Sequence, residues 1–148
     1  MQITSRFTIA IHIIAFVDYF GEECQVTSRM MAGSINANPV IVRGLISYLN
    51  EAELIKSKRG VKGIRLARPV SEISLFDVYK SVDCIEEEGM FCFHKNPNEE
   101  CPVGRNIQQI LNPHLQDVQR KMEEKLKRIS MEDIMNELRE RIAETADS

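Results

Sequence analysis

The chain has 148 residues, 43% of them hydrophobic and 28% charged, with no tryptophan, four cysteines and a formal net charge of −3. That length matches one main core with an extra element docked on it or shared with a partner, and the composition excludes a disordered chain, a collagen-like repeat and a secreted disulfide scaffold. The one mostly apolar run, residues 7–17, is too short to span a bilayer, holds His12 and leads into Asp18 without a small-residue cleavage pattern, so a cytoplasmic protein with no membrane contact is expected.

The net charge hides a division. Residues 1–70 carry nine Lys/Arg against five acids, a balance of +4, whereas residues 71–148 carry ten against seventeen, a balance of −7. A polyanion is attracted to the first half and repelled by the second.

Residues 5–19, SRFTIAIHIIAFVDY, are apolar on nearly every side, as in a helix buried in a core or between subunits. After FGEECQ, the stretch VTSRMMAGSI reads as a short helix capped by Thr27 or Ser28, ending in Asn-Ala-Asn, whose asparagines accept tight-turn conformations. A second helix restarts at once: Asn38 caps, Pro39 suits the first helical position, and Ile41, Leu45, Tyr48, Leu49 and Ala52 recur at helical spacing. Two helices joined by about three residues read as a helix-turn-helix.

Next, LIKSKRGVKGIRLARP reads as two short strands around a basic turn. Ile64 and Leu66 alternate with Arg65 and Ala67, while Gly60 and Gly63 supply a hairpin's backbone freedom. A basic hairpin after a helix-turn-helix is a wing. SEISLFDVYKSV predicts another helix capped by Ser71 or Ser74. Past residues 83–104 the pattern is helical to the end: Pro102 starts a helix with Ile107, Ile110 and Leu111 inward, Asn112-Pro113 ends or kinks it, and a longer helix follows through Leu115, Val118, Met122, Leu126 and Ile129. Ser130-Met-Glu-Asp133 resembles a capping box opening a last helix. The expected fold is mainly α with a small β-hairpin wing. Residues 1–82 form a winged helix-turn-helix domain, with the N-terminal helix contributing to a dimer. Residues 83–104 form a cysteine-containing sensor loop, and 105–148 supply C-terminal dimerisation helices, the long one packing on its copy in a homodimer.

The second helix and the wing carry the functional expectation. The first residues of a recognition helix reach base edges in the major groove, which singles out Asn38, Pro39, Val40 and Arg43, the last able to make a bidentate contact to guanine. Lys56, Lys58, Arg59 and Lys62 suit phosphates, with Arg59 or Lys62 entering the minor groove. Thr27 and Ser28 offer a phosphate their hydroxyls or the amides of a helix N-terminus. No nucleophile–base pair, phosphate loop or paired carboxylate stands out, so an enzyme is not expected.

Together, SRFTIAIHIIAFV, the block NPVIVRGLISYLNEAELIKSKRGVKGIRLARP and SEISLFDVYKSV resemble the Rrf-two-type bacterial winged-helix regulators, the group of IscR, NsrR and CymR. The likeness is close over residues 2–82 and looser beyond. It implies a dimeric, sequence-specific transcription factor, usually a repressor, with the long C-terminal helix as its dimer seam. The wing departs from the family's commoner form at Val61-Lys62. Cluster-binding members carry three cysteines in this region; here Cys84, Cys92 and Cys101 are separated by seven and then eight residues, a longer spacing. HKNPNEECPVG resembles the YwnA-like subgroup, in which the CPVG cysteine stands without the other two.

Four chemistries remain open for the loop. Three thiolates are enough for a two-iron two-sulfur cluster if a fourth ligand comes from elsewhere. Zinc can take Cys84, Cys92, His94 and Cys101, although no Cys-x-x-Cys knuckle is present. A thiol switch suits Cys101, which precedes Pro102 at a helix start, with Glu99 and Glu100 opposing; the fourth reading is a plain connector. The resulting expectation is a homodimeric repressor of a palindromic operator in double-stranded DNA, answering redox or thiol stress, with no cofactor. The alternatives are an iron-sulfur sensor of the same fold, a thiol-dependent oxidoreductase using Cys92 or Cys101, and an interaction module that holds a partner enzyme.

Overall fold

The structure is a computed structural model that describes residues 5–57, 63–82 and 90–147. Its elements are α1 (Ser5–Phe20), α2 (Ser28–Ile35), α3 (Pro39–Glu51), β1 (Ile55–Lys56), β2 (Arg65–Leu66), α4 (Leu75–Ser81), α5 (Pro102–Arg128) and α6 (Met131–Ala146), with a single 3-10 turn at Val70–Glu72. Lys58, Arg59, Lys62 and Cys84 lie outside the described residues. Among the described residues no helix is long and apolar enough to cross a membrane.

Local chemistry explains most boundaries. Thr27 accepts from the Met30 amide and Asn38 from the Val40 amide, so both helices of the helix-turn-helix have side-chain N-caps. Between them Asn36 takes the left-handed conformation at φ 59° and closes α2 by donating its N–H to the Ala32 carbonyl. Pro39 fills the first position of α3, where its missing N–H costs nothing. β1 and β2 pair antiparallel, Ile55 opposite Leu66 and Lys56 opposite Arg65, forming the base of the wing.

The core is built around α1. Its residues Ala10, Ile13, Ile14 and Val17 are buried at i, i+3, i+4, i+7 spacing, and Phe7, Ile9, Ile11 and Phe16 pack half-buried beside them. Around that helix gather Met31 of α2, Val42, Leu45, Ile46 and Leu49 of α3, Ile55 and Ile64 of the wing, and Val78 and Tyr79 of α4. Each such aliphatic side chain contributes about 1.5–3 kcal/mol on burial. One stripe of α1 is thus buried within the chain, while Phe7, Ile9, Ile11 and Phe16 keep part of their surface exposed. His12, on that helix, shares a 2.9 Å hydrogen bond with Ser34 Oγ of α2.

Two expectations about faces are corrected. In α3 the inward stripe is Val42, Leu45, Ile46 and Leu49, while Ile41 and Tyr48 are exposed; both stripes are apolar, and packing against α1 decides between them. Tyr48 lies beneath the Arg6 guanidinium, 5.0 Å from its ring centroid. Asn112-Pro113 does not end a helix: α5 runs 27 residues with Pro113 inside it and has no buried residue. Ile110 is therefore not inward. Only the last turns of α5, through Met122 and Leu126, reach the core.

After α5 the chain turns back. Residues 73–75 and 129–131 pair antiparallel: Leu75 N–H donates to Ile129 O at 2.8 Å and Met131 N–H to Ile73 O at 2.7 Å. Their central residues, Ser74 and Ser130, are each the N-cap of a capping box completed by Asp77 and Asp133. α6 then lies along α1, burying Met131 and Met135 and joining Arg139 to Asp18 at 2.8 Å.

Candidate nucleic-acid interface

The inward face of α3 fixes what its outward face presents. Val40, Arg43, Gly44 and Ser47 recur at i, i+3, i+4, i+7 on the exposed side, and Val40 is 65% exposed. A β carbon added at Gly44 would meet no neighbour within 4 Å, so the helix surface is open and smooth between Arg43 and Ser47. One cation, one branched apolar side chain and one hydroxyl along a single stripe match the donors and methyl contacts that a major groove accepts.

The wing is fastened beside this stripe. Asn50, near the end of α3, accepts the Ser57 amide on Oδ1 at 3.0 Å. On the return strand Ile64 N–H donates to Val26 O at 3.0 Å, next to the start of α2. Gly63 holds φ +88° there and packs on Gln25, a conformation that a side chain would strain. A cleft of about 290 Å³ results, lined by Ser28, Arg43, Ser47, Asn50 and Ser57 over a floor of Ile46 and Ile64. Thr27 caps α2 at its edge; its oxygen is occupied by the Met30 amide, which leaves the hydroxyl hydrogen to donate outward. Lys56 and Arg65 are exposed on the paired strands. Hydroxyls, an amide, a guanidinium and a helix N-terminus around one cleft are donors of the kind a backbone phosphate accepts from.

Of the sequence-predicted residues, Ser28 and Arg43 line this cleft, Thr27 caps the helix beside it, Asn38, Pro39 and Val40 open α3 with Asn38 occupied as a cap, and Lys56 lines a neighbouring cleft with Asn50 and Arg68. Ser47, Asn50 and Ser57 join them without having been singled out. Ser47 stands one turn beyond Arg43 and Asn50 two turns beyond, so helical spacing alone would have flagged both.

The loop before α5 is strapped to that helix. Met90 N–H donates to Gln119 Oε1 at 3.0 Å, and Gln108 Nε2 donates to His94 O at 2.6 Å. Asn98 then organises the entry to α5: its side-chain oxygen accepts from Glu100 N–H and its carbonyl from Cys101 N–H. Cys101 is the N-cap of α5 but makes no side-chain cap bond. The N–H groups of Gly104, and then Val103, favour its thiolate and lower the pKa of this exposed thiol below its ordinary value. Cys92 is also exposed. Among the described residues no three His, Cys, Asp or Glu side chains gather as metal ligands would. Cys92, His94 and Cys101 do not form a metal site by themselves, and Cys84 lies outside the described residues.

Comparison with known proteins agrees with this geometry. The family described as "Rrf2: Iron-dependent Transcriptional regulator" matches residues 3–137. YwnA of Bacillus subtilis (strain 168), provisionally named an HTH-type transcriptional regulator, is 40% identical over 137 residues, covering 93% of this chain and 99% of its own. A crystal structure provisionally titled a DNA binding protein is 38% identical with a TM-score of 0.71, over 88% of this chain and 99% of that one. A provisionally titled transcriptional regulator from Lactobacillus plantarum, 23% identical, shares the fold at a TM-score of 0.76 over 91% of this chain and 90% of its own. The helix-turn-helix, the wing fastened beside it and these matches lead to one assignment: the chain is not an enzyme but belongs to the Rrf2 family of DNA-binding transcriptional regulators.

Proposed function

We propose that the protein is a homodimeric repressor that occupies a palindromic operator in the cytoplasm and is released by oxidation of a loop thiol. The observation that carries the DNA reading is the outward stripe Val40, Arg43, Gly44 and Ser47 with the wing hydrogen-bonded beside it through Asn50. In this reading α3 enters the major groove from its Asn38-Pro39 end. Arg43 bonds a guanine edge, and Val40 meets a thymine methyl. Thr27 and Ser28, with Ser47, Asn50 and Ser57 of the cleft, hold one phosphate; Lys56, Lys58, Arg59 and Lys62 hold others or reach the minor groove.

The dimer reading rests on α5. Val103, Ile110, Leu111 and Val118 form an exposed apolar stripe on a helix with no buried residue, and a second copy of that stripe covers it. Residues 1–82 then serve as the reading unit, 83–104 as the input and α5 as the seam. Two-fold symmetry sets operator half-sites about ten base pairs apart centre to centre, or a multiple of that. Cys101 is the proposed input: its thiolate attacks a peroxide, forming a sulfur–oxygen bond as the oxygen–oxygen bond breaks, and the new sulfenic acid no longer suits the α5 N-terminus.

The test is binding to the DNA upstream of the protein's own gene, measured against random duplex at moderate salt. A preference of at least about a thousandfold is expected; equal affinity for the two duplexes sinks the reading. Peroxide treatment should weaken operator binding by the native protein and leave the Cys101→Ser variant unaffected.

A further inference from the structure

The strapped loop does more than lead to Cys101. Between its two tethers, Met90 to Gln119 and His94 to Gln108, the chain stands off α5 and leaves a groove of about 560 Å³, within the range of small-molecule sites. Its lining is Phe91 and Phe93 from the loop and Gln108, Gln109, Asn112 and Pro113 from α5. None of these six side chains carries a charge. Phe91 and Phe93 are half-buried, while Gln109 and Asn112 are exposed with their amides available.

Pro113 adds an acceptor. Within α5 it has no N–H to offer the carbonyl four residues earlier, so Gln109 O lacks its helical partner at the edge of the groove. At about 3.6 residues per turn, Gln109 and Asn112 face away from the stripe of Val103, Ile110, Leu111 and Val118, while Gln108 and Pro113 flank it, so the polar end of the groove stays open when the apolar stripe is covered.

We infer that this groove is a seat for a small, uncharged, planar aromatic molecule bearing a carboxamide or similar donor–acceptor group. The phenylalanine rings take the ring face or edge, the Gln109 and Asn112 side chains take the polar group, and the free Gln109 carbonyl receives its N–H. A charged ligand is disfavoured because none of the described residues lining the groove carries a counter-charge. The inference concerns binding to the protein without DNA, and its failure leaves the operator reading standing.

The probe is benzamide, with benzoate and cyclohexanecarboxamide as charged and non-planar controls, followed by nuclear magnetic resonance on the full-length protein. Benzamide should saturably shift the side-chain amides of Gln109 and Asn112 and the backbone signals of Phe91 and Phe93, with each control about tenfold weaker. Phe93→Ala should weaken benzamide about tenfold. Gln109→Leu, a change at an exposed position, should weaken it severalfold. Absent shifts, equal response to all three probes or indifference to Phe93→Ala overturns the inference. Shifts at these residues that depend on protein concentration alone would assign the groove to a second copy of the chain and overturn it too.

Discussion

Arg43 lies one turn inside α3, exposed, with its neighbours in the cleft all uncharged. Among the described residues no carboxylate pairs with it, so removing it should leave the fold intact and the proposed DNA surface short of one directed cation. Arg43→Ala should cost about 1–3 kcal/mol of operator affinity and relax preference at a single base pair, read by competition binding against single-substitution operators. Uniform weakening across all positions would make Arg43 a phosphate contact instead. Cys101 depends on its neighbours differently. A β carbon at position 104 would run into the Asn98 carbonyl, and Asn98 also holds the Cys101 amide. Gly104→Ala should therefore displace the amides that favour the thiolate. Because the native thiol is lowered, its alkylation rate rises with pH at a lower midpoint in the folded protein than in the urea-unfolded chain. Gly104→Ala should move the folded midpoint back up, as read by mass spectrometry of the Cys101 peptide.

At the scale of elements, the two capping boxes are the least expected joint. Ser74 and Ser130 cap separate helices, yet their backbones face each other across the pairing of residues 73–75 with 129–131. α6 is thereby held to the winged-helix core at its first residue, before Met135 and Arg139 engage α1. Ser130→Ala should cost about 0.5–2 kcal/mol and Met135→Ala about 2–5 kcal/mol in urea unfolding. If Met135→Ala is neutral, α6 contributes nothing to the core. The caps themselves were legible in the sequence, since Thr27, Asn38, Ser74 and Ser130 act on amides two or three residues away and need no tertiary partner. The antiparallel pairing between residues 73–75 and 129–131 was not, because it joins segments more than fifty positions apart. Nor was the inward stripe of α3: Ile41 and Tyr48 are as apolar as Val42 and Ile46, and only the position of α1 separates them. Pro113 failed as a stop signal for a related reason. α5 is long enough to lose one hydrogen bond and continue, and its exposed flank gives the proline ring space.

The whole molecule pairs a basic surface with a long helix whose stripe of Val103, Ile110 and Val118 stays exposed among the described residues. The basic half and the acidic half meet at the turn into α4, so attraction to DNA is concentrated on α2, α3 and the wing. A single such surface makes few contacts, and the proposed dimer through α5 would double it. Ile110, 58% exposed, and Val118, 51% exposed, lie two turns apart on the apolar stripe and touch no part of the core. Changing both to glutamate should therefore leave the circular dichroism spectrum and the urea transition of the winged-helix unit in place. In the dimer the same change buries carboxylates against their copies, and the desolvation and like-charge cost is several kcal/mol. Sedimentation velocity should show the native protein at twice the chain mass and the Ile110→Glu, Val118→Glu variant at the single-chain mass. Operator affinity should fall with it, because one half-site holds one reading head without the linked second. A variant that remains dimeric and still binds its operator would move the seam away from this face of α5.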